Sequence, residues 1–328
     1  MTAVLNVKDL YASFITPGLT VAALQGVSLS VAKGEILGLV GESGSGKTLT
    51  GFSINRLISP PGEVVGGQVM LHGEDVLTLS EEKMRKLRGR RIAMIFQDPM
   101  MTLNPVLRIE TQMRDALRAH EKIGKAEARK RSIAALDEVG IPAPESRLRS
   151  YPHELSGGMR QRVAIAIALL HKPDVIIADE PTTALDVTIQ GQILSLVQGL
   201  CRDRGTALIW ITHDLAVVAG IADRLAVMYA GRVVEVGPVD DLLDAPAHPY
   251  TRGLIESVPA RGQRGKRLNQ IPGRMPSLAD LPDGCSFAPR CEHATAACAA
   301  LPDMEAFGPT RSVRCFHPLM ERALWAMR

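Results

Sequence analysis

Long apolar runs are missing from this sequence. The longest, Val163 to Leu170, is closed by Arg162 and His171, far short of the ~20 apolar residues that a membrane-spanning helix needs. Any contact with a membrane is therefore expected to pass through a partner. Aromatic residues are scarce at 4%, and 38 basic against 35 acidic side chains leave a net charge of only +3. No basic stripe interleaved with aromatic rings is present, which argues against nucleic acid as a partner. The opening residues, Met1 to Asp9, lack the basic start and apolar stretch of a secretory signal, so a cytosolic location is expected and structural disulfides are not. Cysteine is also rare, but four of the five, Cys285, Cys291, Cys298 and Cys315, crowd into the last stretch, and only Cys201 lies elsewhere.

With 328 residues, 46% of them hydrophobic, the chain can bury one large domain and an additional element. Alternating apolar positions predict strands at Val4–Val7 and Val21–Val31, followed by a turn at Lys33 and Gly34. A short apolar strand, Ile36 to Val40, runs into a glycine-rich loop and a helix beginning near Lys47. From Pro99 to about Leu155 charged helical periodicity takes over, including a helix around Glu127 to Val139 that stops at Gly140 with Pro142 behind it. Strands apolar on both faces return at Val175 to Ala178 and Ala207 to Ile211, separated by a helix from Val187 to about Arg202. That pattern predicts a parallel α/β core. After Gly237 and Pro238 the composition shifts to proline, glycine and arginine, and Arg261 to Arg267 reads as a solvated linker or surface loop.

Gly41, Glu42, Ser43, Gly44, Ser45, Gly46, Lys47 and Thr48 form a glycine, four residues, then Gly-Lys-Thr, placed between strand and helix. This is a phosphate-binding layout. Gly44 and Gly46 let backbone N–H groups converge on phosphate, the helix N-terminus adds partial positive charge, Lys47 supplies a point charge, and the Thr48 hydroxyl is a ligand for Mg²⁺. The strand at Val175 ends in adjacent carboxylates, Asp179 and Glu180. Two such groups beside a buried strand are costly unless used. Asp179 suits the metal and Glu180 a general base acting on water. Ser156, Gly157 and Gly158 open another helix with a capping serine and two glycines. Glycines there cost helix stability, which implies close approach of a ligand or another backbone.

With these elements in order from the N-terminus to about residue 240, the chain resembles the ATP-binding subunits of ABC transporters. The resemblance implies a RecA-like P-loop ATPase core with an antiparallel β portion, an inserted helical subdomain and a C-terminal extension. Domain limits follow as 1–245, with the helical part at about 98–160, and 246–328. It implies that Ser156, Gly157 and Gly158 contact the γ-phosphate held by a partner's glycine loop, and that Gln97 touches the metal and senses the membrane subunit. Ala184, Leu185 and Asp186 match the D-loop; His213 matches the histidine that bonds the γ-phosphate and the catalytic carboxylate. Leu49 joins the nucleotide-binding set, and Phe14, or alternatively Tyr11, is expected to stack on adenine. A soluble ABC ATPase acting on nucleic acid or ribosomes is the competing class. Such proteins tend to carry tandem ATPase domains or a long coiled-coil insertion, and neither is seen in this sequence.

Leu155 to Arg162, Ala178 to Gln190, the stretch from Ala247 through Tyr250 to Leu254, and Gly284 to Cys291 are similar to the oligopeptide and dipeptide importer branch, with Met159 and Arg160 as in its "D" type subunit. The branch implies a different "F" type ATPase partner, two membrane permease subunits, an external solute-binding protein and a peripheral place at the cytoplasmic face of the inner membrane. Cargo stays open among dipeptides, longer peptides, nickel chelates and glycosides. The cysteines follow C-x5-C-x6-C-x16-C. Four soft thiolates suit an iron–sulfur cluster or zinc, without the C-x2-C pairs of zinc ribbons; unligated thiols are the third possibility. The branch resemblance implies a [4Fe–4S] cluster on Cys285, Cys291, Cys298 and Cys315, while His293 and His317 stand beside them as substitutes in a zinc site. Cys201 is expected to be core packing.

Overall fold

A computed structural model describes residues 3–182, 186–258 and 270–319. The chain opens with β1 (Ala3–Thr16) and β2 (Leu19–Ala32), both longer than alternation predicted. Leu10 and Ala12 of the added part of β1 are buried, whereas the tips, with Ile15 and Leu19, are exposed, and there pairing rather than burial holds the strands. β3 (Ile36–Val40) is buried at every position, and α1 (Lys47–Ile54) follows the glycine loop. Then come β4 (Gly62–Leu71), β5 (Glu74–Asp75), α2 (Glu81–Leu87) and β6 (Ile92–Ile95). The charged segment forms α3 (Ile109–Arg118), α4 (Lys125–Glu138) and the short α5 (Pro144–Arg147). α6 (Gly157–Leu169), β7 (Val175–Asp179), α7 (Val187–Arg204), β8 (Ala207–Thr212), α8 (Leu215–Ile221), β9 (Arg224–Tyr229) and β10 (Arg232–Pro238) complete the α/β alternation.

Beyond Pro238 the structure adds helices that no periodicity had marked. α9 (Val239–Asp244) and α10 (Pro249–Glu256) form at once, followed by two short strands, β11 (Glu305–Ala306) and β12 (Ser312–Val313). Pro238 caps α9 and Pro249 opens α10, a position where proline's missing N–H and fixed φ cost nothing. The arginine-rich stretch expected as a linker, Arg261 to Arg267, lies outside the described residues.

Contacts divide the chain into two units, one of residues 1–4, 31–35 and 78–209, the other of residues 5–30, 36–77 and 210–328. In the first, β6 pairs parallel with β7, Ile92 opposite Val175 through Ile95 opposite Ala178, and β8 lies beside β7. Each fully buried Ile or Val of these strands contributes about 1.5–3 kcal/mol. α3 buries Ile109, Met113 and Leu117, one face at helical spacing, and packs on α4, which packs on α6. In the second unit β1, β2, β4 and β5 form a sheet in the order β2-β1-β4-β5, with Leu5 opposite Leu71. A further set runs β11-β12-β10-β9-β3, where β3 and β9 are parallel and β9, β10 and β12 are antiparallel.

The C-terminal extension is fastened to β10 by a fully buried ion pair, Arg311 Nη2 to Glu235 Oε1 at 2.6 Å. The same carboxylate accepts hydrogen bonds from the backbone of Ala247 and His248, both 2.9 Å, so the charge is satisfied on several sides.

Candidate functional site

The glycine loop leaves β3 and ends on α1. Gly44 and Gly46 have φ of 81° and 103°, the left-handed region where a Cβ is penalised. At Gly41 a Cβ would stand 2.2 Å from the carbonyl oxygen of Met228, so the loop is drawn tight against β9. Lys47 is buried, and its ammonium donates to the carbonyls of Gly41 (2.8 Å) and Glu42 (3.0 Å). α1 begins at the end of the loop without a side-chain cap, and a helix N-terminus carries partial positive charge. Ser45 Oγ is buried without a partner. A narrow cradle of glycine backbone, a helix N-terminus and one ammonium fits a polyphosphate. Thr48 is exposed on the first turn of α1, and Leu49 follows it.

In the first unit, β7 delivers Asp179, 4% exposed, and Glu180 immediately after it. Glu180 takes φ of 43°, a strained conformation for a non-glycine residue that costs about 1–3 kcal/mol. Gln97, after β6, donates through Nε2 to Glu180 Oε2 at 3.4 Å, so the parallel pairing of β6 with β7 brings the amide to the carboxylate. Ser156 caps α6 by accepting from Met159 N at 3.3 Å, and Gly157 is exposed beside it. At Gly158 a Cβ would stand 2.9 Å from Ile189 Cγ2 of α7, so within the chain itself a side chain of α7 already packs close against this glycine. Asp186 caps α7, accepting from Ile189 N at 2.9 Å, while Ala184 and Leu185 lie outside the described residues.

In the second unit His213 is exposed between β8 and α8. Phe14 and Tyr11, 38% and 43% exposed on β1, are open enough to meet a planar ring rather than being committed to the core. Cys285, Cys291, Cys298 and Cys315 line one pocket, walled also by Phe287 and Phe316. The backbone N–H of His317 donates to Cys315 Sγ at 3.3 Å, and nearby backbone amides partly offset the upward push of burial on Cys285 and Cys291. Burial, then the neighbouring thiols, push these three up, Cys315 to about 11. Among the described residues no three His, Cys, Asp or Glu side chains are spaced to hold a single metal ion. Cys201, buried on α7, is pushed up to about 12 by burial and is an inert core thiol.

Residues 24–183 match the ABC transporter family profile, and residues 234–298 match the oligopeptide/dipeptide transporter C-terminal region. The oligopeptide transport ATP-binding protein OppD of Escherichia coli (strain K12) is 49% identical, over 97% of this chain and 94% of that protein. The chain belongs to the ABC transporter ATP-binding subunits. Within that family the dipeptide transport ATP-binding protein DppD of Bacillus subtilis (strain 168) is 50% identical, over 91% of this chain and 89% of its own length. Among solved cassettes, the dimer of MJ0796 in a post-hydrolysis state with ADP and Pi superposes with a TM-score of 0.64 at 27% identity, covering 72% of this chain and 98% of that one. As an ABC ATPase, the chain binds ATP and hydrolyses it to drive transport.

Sequence reasoning missed the side of this cassette that faces its own extension. Tyr250 Oη accepts from the Glu42 backbone N–H at 2.8 Å, and Arg290 grips the Glu42 carboxylate with both Nη atoms, at 2.6 and 3.0 Å. Tyr250 lay inside a recognised stretch, but nothing in its spacing points to a partner 208 residues away. His248, buried and held down to about 3 by that burial, stays neutral, its Nδ1 accepting from Tyr250 N at 3.0 Å.

Proposed function

We propose that this chain is the ATP-hydrolysing subunit of an importer that moves di- or oligopeptides through a membrane permease. The observation that carries the reading is the match of residues 234–298 to the oligopeptide/dipeptide transporter C-terminal region, joined to a complete ATPase cassette. The glycine loop, Gly41 to Leu49, and Lys47 would hold the phosphates, with Phe14, or Tyr11, against adenine. Thr48, Gln97 and Asp179 would hold Mg²⁺, which when bound neutralises charge on the β- and γ-phosphates. Glu180, oriented by the Gln97 amide, would polarise the attacking water, and His213 would bond the γ-phosphate. Ser156, Gly157, Gly158 and Asp186 would serve the nucleotide of a second ATPase subunit, of the "F" type. ATP favours the closed pair over the open one, and that difference in affinity is what can move a permease.

Two permease subunits, an external solute-binding protein and a peripheral position on the cytoplasmic membrane face belong to the same proposal; no helix among the described residues is long and apolar enough to cross a membrane. The 1–245 and 246–328 division is its domain form. Cys285, Cys291, Cys298 and Cys315 would hold a [4Fe–4S] cluster. One pocket lined by four thiols, one of them accepting a backbone N–H at sulfur, favours ligation over idle packing. When bound, such a cluster would supply electron-transfer or structural iron held by the four thiolates. No observation favours the soluble alternative. In cells lacking the chain, uptake of labelled di- and oligopeptides should be lost, restored by the wild type and not by Glu180→Gln. Peptide uptake unaffected by the loss would refute peptide import.

A further inference from the structure

Glu42 sits in the middle of the glycine loop, and three of its groups are fixed from different directions. Its carbonyl supports the Lys47 ammonium at 3.0 Å. The other two contacts come from the C-terminal extension: its N–H donates to Tyr250 Oη, and its carboxylate is forked by Arg290. Arg290 is itself immobilised. It is 7% exposed, its Nε donates to the Pro272 carbonyl at 2.8 Å, and its guanidinium lies 5.8 and 5.9 Å from the ring centres of Tyr229 and Phe287. Tyr229, Tyr250 and Phe287 pack edge-on or tilted against one another at 4.7 to 5.4 Å, a rigid aromatic block beneath the loop. From the same extension, Met275 Cε comes to 2.8 Å of the point where a Cβ on Gly44 would lie.

A forked Arg–carboxylate pair fixes direction as well as distance, and a lysine could not replace it. The bidentate grip therefore sets where the Glu42 peptide stands, and with it the carbonyl on which Lys47 rests. We propose that Arg290 and Tyr250 are positioning residues of the nucleotide site, through which the C-terminal extension fixes the glycine loop and tunes its affinity for ATP. The inference rests on the reading that this loop holds ATP. It also places the four-thiol segment next to the loop in the chain of contacts, since Arg290 precedes Cys291 and stacks on Phe287, a wall of the thiol pocket.

The test is a double-mutant cycle in the full chain, read as Kd for a fluorescent ATP analogue and as KM and kcat for ATP. Lys47→Ala serves as the control that the loop is the binding site. Arg290→Met should raise Kd and KM about tenfold, a usual size for coupling between sites, with kcat at saturating ATP little changed, and Glu42→Gln should raise Kd by a similar factor. The double variant should be no weaker than the worse single one, because both remove one interaction. Tyr250→Phe, which deletes only the hydroxyl acceptor, should raise Kd severalfold and decides the matter if Arg290→Met does not fold. Unchanged Kd in a folded Arg290→Met or Tyr250→Phe, or single effects that simply multiply, would overturn the proposal. Retained affinity in Lys47→Ala would instead overturn the ATP-loop reading beneath it.

Discussion

Lys47 and Glu180 do opposite kinds of work, and their surroundings separate them. Lys47 is a buried cation that donates to two backbone carbonyls of its own loop, which fixes the ammonium at the glycine loop where a phosphate would meet it. Lys47→Ala should abolish measurable nucleotide binding, checked by equilibrium binding of the ATP analogue; unaltered affinity would contradict the cradle. Glu180 is held in a left-handed backbone conformation with the Gln97 amide on its carboxylate, strain of the kind kept where a side chain must be aimed. Glu180→Gln should bind ATP as well as the wild type and release phosphate about 10²- to 10⁴-fold more slowly, the usual worth of a general base. Phosphate release at the wild-type rate would remove Glu180 from that role.

At the scale of elements, the buried pair of Glu235 and Arg311 decides whether the extension stays docked on β10. Glu235→Ala would leave the guanidinium buried without its carboxylate and two backbone amides without an acceptor. A loss of about 3–5 kcal/mol is expected, measured by denaturant unfolding of the full chain, and a change below about 1 kcal/mol would show the docking to be independent of the pair. The elements most legible in the sequence were those buried on both faces. β3 runs over the residues expected, and β7 and β8 extend the expected strands by one residue each, because a strand covered on both sides must be apolar throughout. The exposed tips of β1 and β2 around Ile15 and Leu19 escaped because pairing, not burial, holds them. α9 and α10 escaped because they are short, six and eight residues, and begin at prolines where the composition shifts. The motifs of the nucleotide site were legible since each is local in sequence, whereas Glu42, Tyr250 and Arg290 meet only in the fold.

For the whole molecule, the question is why a chain with five cysteines should gather four around one pocket. Packing alone does not account for it, since the His317 amide is spent on Cys315 sulfur at 3.3 Å, a poor acceptor unless it carries charge. Burial without a cation keeps the thiols protonated; a bound metal centre inverts that preference and deprotonates its ligands outright. Protein purified without air should therefore contain about four irons and four sulfides per chain, with visible absorption that fades on oxidation. Cys298→Ser should lower the iron content and leave the Lys47 cradle chemically intact. Zinc in place of iron would keep the site and refute the cluster. Absence of both metals after anaerobic handling would leave the extension with a purely mechanical part, the bracing of the glycine loop through Arg290 and Tyr250, which needs the fold of the thiol segment but no metal within it.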